Sequence, residues 1–476
     1  MANAWRRRPG DRVVRTPRQH ELQPVYIPAP PRRNPGRKFE SPLILLYGFG
    51  GLIAVGTFLL WLPFFNVTGR FAPFMTALFT ATSAACVTGL VVVNTGTFWN
   101  HWGQGVIMAL ILVGGLGFMS TATYLLLIVV QRLSLPSQLI VTRGFLEASQ
   151  FGGLVRLTLQ VIAVAFVILA VTFAILFWRF EKVFGPGEGA WQALFTAISA
   201  YNNAGFDVLP GSVSMANLRG DYYLLGAVAL SVIAGGLGYG FYVDVLKMRR
   251  FNRFSLDSRL VLVTSVPLWL AGALLFLLFE YGNSGTLGGD TLGTKVMNSF
   301  FLSVNTRTAG FSTVDLGVAH LQTIVVLISL MFIGGASGST AGGIKVNTFA
   351  VILAAVCASV RNRSYVEAFR REIPTSQVQR ALTVAFLAVG FIGGVSFLLA
   401  ITEPFPFDKI LHEVVSAFGT VGHSTGITAD LSNVGKAIIT LTMFVGRIGP
   451  LTIALALGQG QRHAVYRYSQ ESVRIG

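Results

Sequence analysis

Long apolar runs alternate with short amphipathic segments along most of this chain. Hydrophobic stretches near 42–63, 155–180, 259–281 and 378–402 each have the length, about 20 residues, that crosses a ~30 Å hydrocarbon layer. After each comes a shorter stretch, near 73–84, 190–201, 294–305 and 408–420. At about a dozen residues these segments are too short to span, and they read as re-entrant helices. A second apolar run follows each of them, near 104–131, 221–247, 318–360 and 434–458. The pattern predicts an all-α membrane protein with eight transmembrane spans plus four re-entrant pore helices.

The order of segments repeats, and so does their detail. Ala77-Leu78-Phe79-Thr80-Ala81 leads, ten residues after Phe79, to Gly89, and Ala193-Leu194-Phe195-Thr196-Ala197 leads at the same distance to Gly205. Ser299-Phe300-Phe301 leads to Gly310, and Val415-Ser416-Ala417 to Gly426. The glycine spacings are 116, 105 and 116 residues, so a unit of span, pore helix, loop and span recurs four times. The predicted repeats are 41–154, 155–258, 259–377 and 378–458, flanked by tails at 1–40 and 459–476.

Charge then sets the orientation. Only 12% of the 476 residues are charged, about half the ~25% of a soluble domain. The segments on one side of the predicted spans carry 26 Lys and Arg and those on the other side seven, which places both termini in the cytoplasm. The net charge of +16 therefore marks topology rather than a nucleic-acid surface, and the Pro-rich tail 1–40 reads as disordered. Cys86 and Cys357 fall in different repeats, and the six histidines form no metal-binding spacing. No catalytic constellation emerges, and no enzyme is expected.

The side chains of the loops Cys86-Val87-Thr88-Gly89, Asn202-Asn203-Ala204-Gly205, Arg307-Thr308-Ala309-Gly310 and His423-Ser424-Thr425-Gly426 vary while the glycine is kept. One loop glycine is explained as a helix C′ cap, but four in register call for another reason. Backbone carbonyls serving as cation ligands supply it, since glycine turns its carbonyl at φ > 0 without a Cβ clash. The predicted filter is Val87, Thr88, Gly89, Asn203, Ala204, Gly205, Thr308, Ala309, Gly310, Ser424, Thr425 and Gly426. The absence of an Asp or Glu ring argues against a divalent ion. In the third repeat, Gly334, Gly335, Ala336, Ser337, Gly338, Ser339, Thr340, Ala341, Gly342 and Gly343 interrupt the second apolar run. A poor helix at membrane depth belongs against protein or a water-filled path, and it predicts a loop beneath the filter acting as a gate. Arg447 lies at matching depth in the fourth repeat and is expected to reach that loop. Lys345 is expected at the cytoplasmic mouth, and Arg307 is expected to brace the filter against a neighbour such as Glu413. The glycine clusters 114–117 and 235–238 read as helix-packing surfaces. A broken span also fits an alternating-access secondary cation transporter, but that architecture predicts inverted repeats and these four run the same way up.

Taken together, Val87-Thr88-Gly89-Leu90, Asn202-Asn203-Ala204-Gly205-Phe206, Arg307-Thr308-Ala309-Gly310-Phe311 and Gly446-Arg447-Ile448-Gly449-Pro450-Leu451 resemble the KtrB/TrkH/HKT superfamily, KtrB most of all. The resemblance runs from about residue 40 to the C-terminus. It implies potassium uptake across the plasma membrane, often with sodium as activator, by a homodimer with one pore per protomer. It also implies an intramembrane gating loop and a cytosolic ring of KtrA-type RCK subunits that carries the ATP or ADP response, with no cofactor in this chain. Relatives with Ser at the first filter position favour sodium, so the glycine here implies the potassium-permissive form. His423 departs from the apolar residue expected at its place.

Overall fold

The computed structural model describes residues 43–131, 151–209, 214–248 and 250–449. The predicted tails 1–40 and 459–476, the end of the last motif at Pro450-Leu451, and the basic segment 132–150 lie outside these residues. The described chain is mostly helical. Its helices are α1 (Leu43–Trp61), α2 (Phe74–Ala85), α3 (His101–Gln131), α4 (Phe151–Phe184), α5 (Pro186–Tyr201), α6 (Tyr222–Gly236) and α7 (Tyr239–Met248). They continue as α8 (Leu256–Glu280), α9 (Leu292–Asn305), α10 (Leu321–Phe332), α11 (Val346–Val360), α12 (Thr375–Thr402), α13 (Phe407–Gly419) and α14 (Asn433–Ile448). One hairpin, β1 (Glu367–Ala368) with β2 (Arg371–Glu372), joins α11 to α12.

The short helices α2, α5, α9 and α13 have 12, 16, 14 and 13 residues. At 1.5 Å per residue they extend about 18–24 Å, less than a bilayer core. Each packs against the long helix before it: α2 on α1, α5 on α4, α9 on α8 and α13 on α12. Each also packs against a helix of the preceding unit, α5 on α3, α9 on α6 and α13 on α10, while α2 packs on α14. The last pairing closes the series into a circle.

Among the described residues, Leu159–Phe184, Leu256–Glu280 and Thr375–Thr402 are long and apolar enough to cross a membrane. A fourth candidate is the pair α6–α7, bent by 93°, which corrects the single span expected over 221–247. The bend falls at Gly238, whose φ of +79° no helix interior accommodates. The apolar run 318–360 is two short helices, α10 and α11, with the glycine-rich segment between them as the sequence predicts.

Polar contacts at the ends of the long helices fix how far apart they stand. The Glu280 carboxylate, at the end of α8, accepts from His320 N at 2.9 Å and from the Thr323 hydroxyl in the first turn of α10. Glu403 accepts from Ser432 N at 3.1 Å at the start of α14. Arg179 of α4 pairs with Asp221, the N-cap of α6. A carboxylate at a helix N-terminus satisfies orphan N–H groups and opposes the positive end of the helix dipole.

Candidate functional site: a ring of four glycines

The loops after α2, α5, α9 and α13 follow one backbone course. Val87, Asn203, Thr308 and Thr420 have φ of +56°, +57°, +83° and +49°. Two residues later Gly89, Gly205, Gly310 and Gly422 have φ of +89°, +69°, +76° and +97°. A left-handed backbone at β-branched Val or Thr persists only where its surroundings over-determine it. The four glycines meet in a closed circuit. A Cβ built on Gly89 would stand 3.1 Å from Cα of Gly205, and one on Gly205 would stand 3.1 Å from Cα of Gly310. From Gly310 to Gly422 the distance is 3.0 Å, and from Gly422 back to Gly89 it is 3.1 Å. The same Cβ positions would overlap the carbonyl oxygens of Ala204, Ala309, Val421 and Thr88 in turn. Glycine is thus required for space as well as for φ, and four carbonyl oxygens are gathered into one set.

The fourth corner corrects the sequence reading. Thr420, Val421 and Gly422 occupy the places expected of Ser424, Thr425 and Gly426. Gly426 lines the outer cavity instead, and a Cβ on it would meet nothing within 4 Å. The ten-residue spacing fails there because a slip of four residues is close to one helical turn and returns nearly the same face. A serine six residues before the glycine marks the true register at Ser83, Ser199 and Ser416. The Ser83 and Ser416 hydroxyls each accept from their glycine N–H at 3.1 Å. The third loop lacks this serine and hangs on the Asn305 carbonyl, which accepts from Ala309 N at 2.9 Å and Gly310 N at 3.1 Å.

Between α10 and α11 the glycine-rich segment 334–343 is non-helical and mostly buried. Its ends are tied to each other by Gly334 N to Ile344 O at 2.8 Å and Val346 N to Gly335 O at 3.0 Å. The loop contacts the other units. Ala336 N donates to Gly236 O at 2.9 Å, and the Thr340 hydroxyl donates to Gly235 O at 3.1 Å and Tyr201 O at 3.3 Å. A Cβ on Gly342 would stand 2.8 Å from Cγ2 of Thr420, so the loop abuts the start of the fourth ring strand.

Three basic side chains meet this loop. Arg447, 1% exposed, donates to Thr340 O and, at 2.9 Å, to Gly114 O, joining the loop to α3. Arg307 donates to Gly334 O at 2.7 Å and Ile333 O at 3.3 Å, and its guanidinium lies 5.5 Å from the Trp269 ring centroid. It does not reach Glu413, because its backbone position turns it toward α8 and the end of α10. Lys345 folds back to donate to Ala341 O.

Glu413 has another task. Fully buried in α13, it accepts from the Ser424 hydroxyl at 3.0 Å and from the Thr428 hydroxyl. Ser424 Oγ in turn accepts from Gly426 N at 3.0 Å. This carboxylate therefore holds the strand that continues outward from Gly422, a role the sequence reading missed. His423, directly after Gly422, places Nε2 3.1 Å from Phe311 O and ties the fourth loop to the third. The Asn203 side-chain amide lies 3.2 Å from Thr308 Oγ, linking the second and third. Outside the ring lies a cavity of about 310 Å³ lined by all four ring glycines, Asp207, Asp315 and His423.

The profile of the family TrkH, described as a cation transport protein, matches residues 51–461. The chain belongs to the TrkH family. It is 39% identical to the potassium/sodium uptake protein NtpJ of Enterococcus hirae, over 92% of this chain and 98% of that protein. It is also 39% identical to the Ktr system potassium uptake protein B of Bacillus subtilis, over 92% and 97%. The corresponding protein of Vibrio alginolyticus is 37% identical over 96% and 99%. The crystal structure of the potassium transporter TrkH from Vibrio parahaemolyticus superposes with a TM-score of 0.70 at 16% identity, covering 90% of this chain and 86% of that one, a likeness of fold. The membership places the chain among transporters rather than enzymes, and the glycine clusters 114–115 and 235 of this TrkH-family chain fall against backbone and side-chain oxygens of Ala85, Asn202 and Tyr201.

Proposed function

We propose that this TrkH-family protein takes up potassium through a channel-like pore whose filter is the ring at Gly89, Gly205, Gly310 and Gly422. The closed glycine circuit carries this reading. A dehydrated monovalent cation needs several oxygens, and the carbonyls of Thr88, Ala204, Ala309 and Val421, each set where a Cβ on the neighbouring ring glycine would overlap it, supply four. The C-terminal ends of α2, α5, α9 and α13 lead into the ring and add partial negative charge. The reading takes the architecture as four span–pore helix–loop–span repeats around that pore, in the plasma membrane with both termini cytoplasmic. Segment 334–343 is the gate, with Arg447 and Lys345 as its basic partners. Uptake with sodium as activator, a homodimer, and a cytosolic RCK ring of KtrA type responding to ATP or ADP complete the proposal. The names of the relatives from Enterococcus hirae and Bacillus subtilis support the ion and the Ktr system.

Rubidium and sodium uptake in a transport-deficient host tests the filter. Gly422→Ser is expected to lower potassium-over-sodium discrimination at least about tenfold, the effect of ~1.4 kcal/mol at one ligand. Gly89→Ser acts alike, while Gly426→Ser, strained at φ +92° but with a Cβ that meets nothing within 4 Å, is expected to lower discrimination less than Gly422→Ser does. A selective Gly422→Ser protein, or a Gly426→Ser protein that loses as much discrimination as Gly422→Ser, would overturn the assignment.

A further inference from the structure

The segments that follow α7 and α11 are clamped together away from the glycine ring. Arg259 lies between two rings, 6.0 Å from the Phe251 centroid and 5.8 Å from that of Phe369, which themselves meet edge-on at 6.1 Å. The clamp depends on an unusual turn. Ala368 pairs with Arg371 across the hairpin, leaving Phe369 and Arg370 as the two turn residues, at φ of +50° and +61°. That is the conformation of a two-residue primed turn, which normally takes Asn-Gly, and a bulky aromatic there is costly. The turn seats Phe369 on Arg259 and leaves Arg370 exposed beside Arg371.

The clamp gathers charge. Arg250, Arg253, Arg361, Arg370 and Arg371 are all exposed, and their side chains form no hydrogen bond or ion pair with the described residues. Of the four carboxylates on 244–259 and 361–373, three are engaged: Glu367 with Arg363, Asp244 with Ser255, and Asp257 with Asn347. The cluster also has an apolar continuation. Leu353, Val356 and Val360 are exposed along one face of α11, Val360 at 82%, and the chain passes directly from them into Arg361. Tyr365 is 68% exposed on the same segment.

We infer that this cluster is a binding site for an anionic phospholipid, the phosphate on Arg361, Arg370 and Arg371 and an acyl chain along Leu353, Val356 and Val360. An exposed apolar stripe ending in guanidiniums that pair with none of the described residues matches an amphiphile with an anionic head, and Arg is suited to phosphate by its forked donors. A soluble acidic protein would use the arginines but leave the stripe without a role. Exposed aromatic residues beside the charges suit the interfacial zone of a bilayer.

Native mass spectrometry of the full chain, released from bilayers of equal phosphatidylglycerol and phosphatidylcholine, tests this site. The parent is expected to retain phosphatidylglycerol over phosphatidylcholine, and Arg370→Gln with Arg371→Gln to lose that preference by about tenfold or more. Arg70→Gln, remote in sequence, serves as control and keeps it. A second variant replaces Phe369 with Asn and Arg370 with Gly, giving the turn its favoured sequence while removing the clamp. This hairpin folds at least as well as the parent, yet the lipid preference falls. Unchanged preference in either variant overturns the proposal, as does equal loss in the control. Displacement of the lipid by inorganic phosphate, or by an acidic soluble protein that then holds the site, overturns it as well.

Discussion

Glu413 shows how one buried carboxylate positions a loop. Its two oxygens accept from Ser424 and Thr428, so the strand leaving Gly422 is held to α13. Glu413→Gln keeps the shape but replaces one acceptor with a donor facing a hydroxyl. The expected cost is about 1–3 kcal/mol of stability, read as a lowered denaturation midpoint together with a reduced potassium-over-sodium ratio; Glu413→Asp is expected to recover part of the ratio. Asp207 illustrates a charge of the outer cavity. Half-buried in the loop beyond Gly205, its carboxyl is pushed up to about 7 by burial, against the pull of the Leu209 N–H. A carboxyl raised in this way is neutral below that pH and negative above it, so the cavity attracts cations more strongly as pH rises from 6 to 8. Rubidium uptake at low external concentration is expected to increase over that interval, and Asp207→Asn to flatten the profile at the lower level. Three of the four ring glycines were legible from spacing alone. The fourth was not, because a slip of one helical turn preserves the apolar face, and only the serine at position 416 carries the register.

At the scale of elements, breaks in helices organise the molecule as much as the helices do. The interruption between α10 and α11 was legible because glycines and hydroxyls within an apolar run are poor helix formers. The bend between α6 and α7 was less so: Gly235 and Gly236 there are also packing residues, and the decisive Gly238 differs from them only in its φ of +79°. Both breaks meet, since Tyr239 N donates to Gly338 O at 3.3 Å. The proposed gate is thus held by another broken helix rather than by its own flanks alone. Thr340 supplies two of the holding contacts, to Gly235 O and Tyr201 O. Thr340→Val removes the one hydroxyl donor that the two carbonyls share and keeps the volume, at about 1 kcal/mol for the lost hydrogen bond. Basal rubidium flux in vesicles is expected to rise several-fold, and deletion of Ser337–Ala341 to raise it further. Flux that falls in well-folded protein would show that the segment packs the helices together and does not obstruct the path.

For the molecule as a whole, closure of the circle makes a local charge matter globally. Each short helix packs on the unit before it, and α14 returns to α2, so the four loops share one ring that no single unit completes. Arg447 sits at that closing seam. It rises from α14, the last described helix, and bonds to Gly114 O of α3 and to Thr340 O of the glycine-rich loop, joining the first, third and fourth units. Sequence position alone could place Arg447 at the right depth but could not show the Gly114 contact, 333 residues away. In the proposed pore this guanidinium opposes a passing cation: at ~10 Å and an effective dielectric of ~20 the repulsion is about 1.7 kcal/mol. That is more than a tenfold change in occupancy, yet small enough for a shift of the loop to remove. Arg447→Gln keeps some hydrogen-bonding capacity while removing the charge, so it is expected to raise rubidium uptake per folded protein roughly tenfold. If the arginine served only to join the three units, the same substitution would loosen the seam, lowering both the denaturation midpoint and uptake. A correctly assembled Arg447→Gln protein that conducts less than the parent would remove Arg447 from the conduction path.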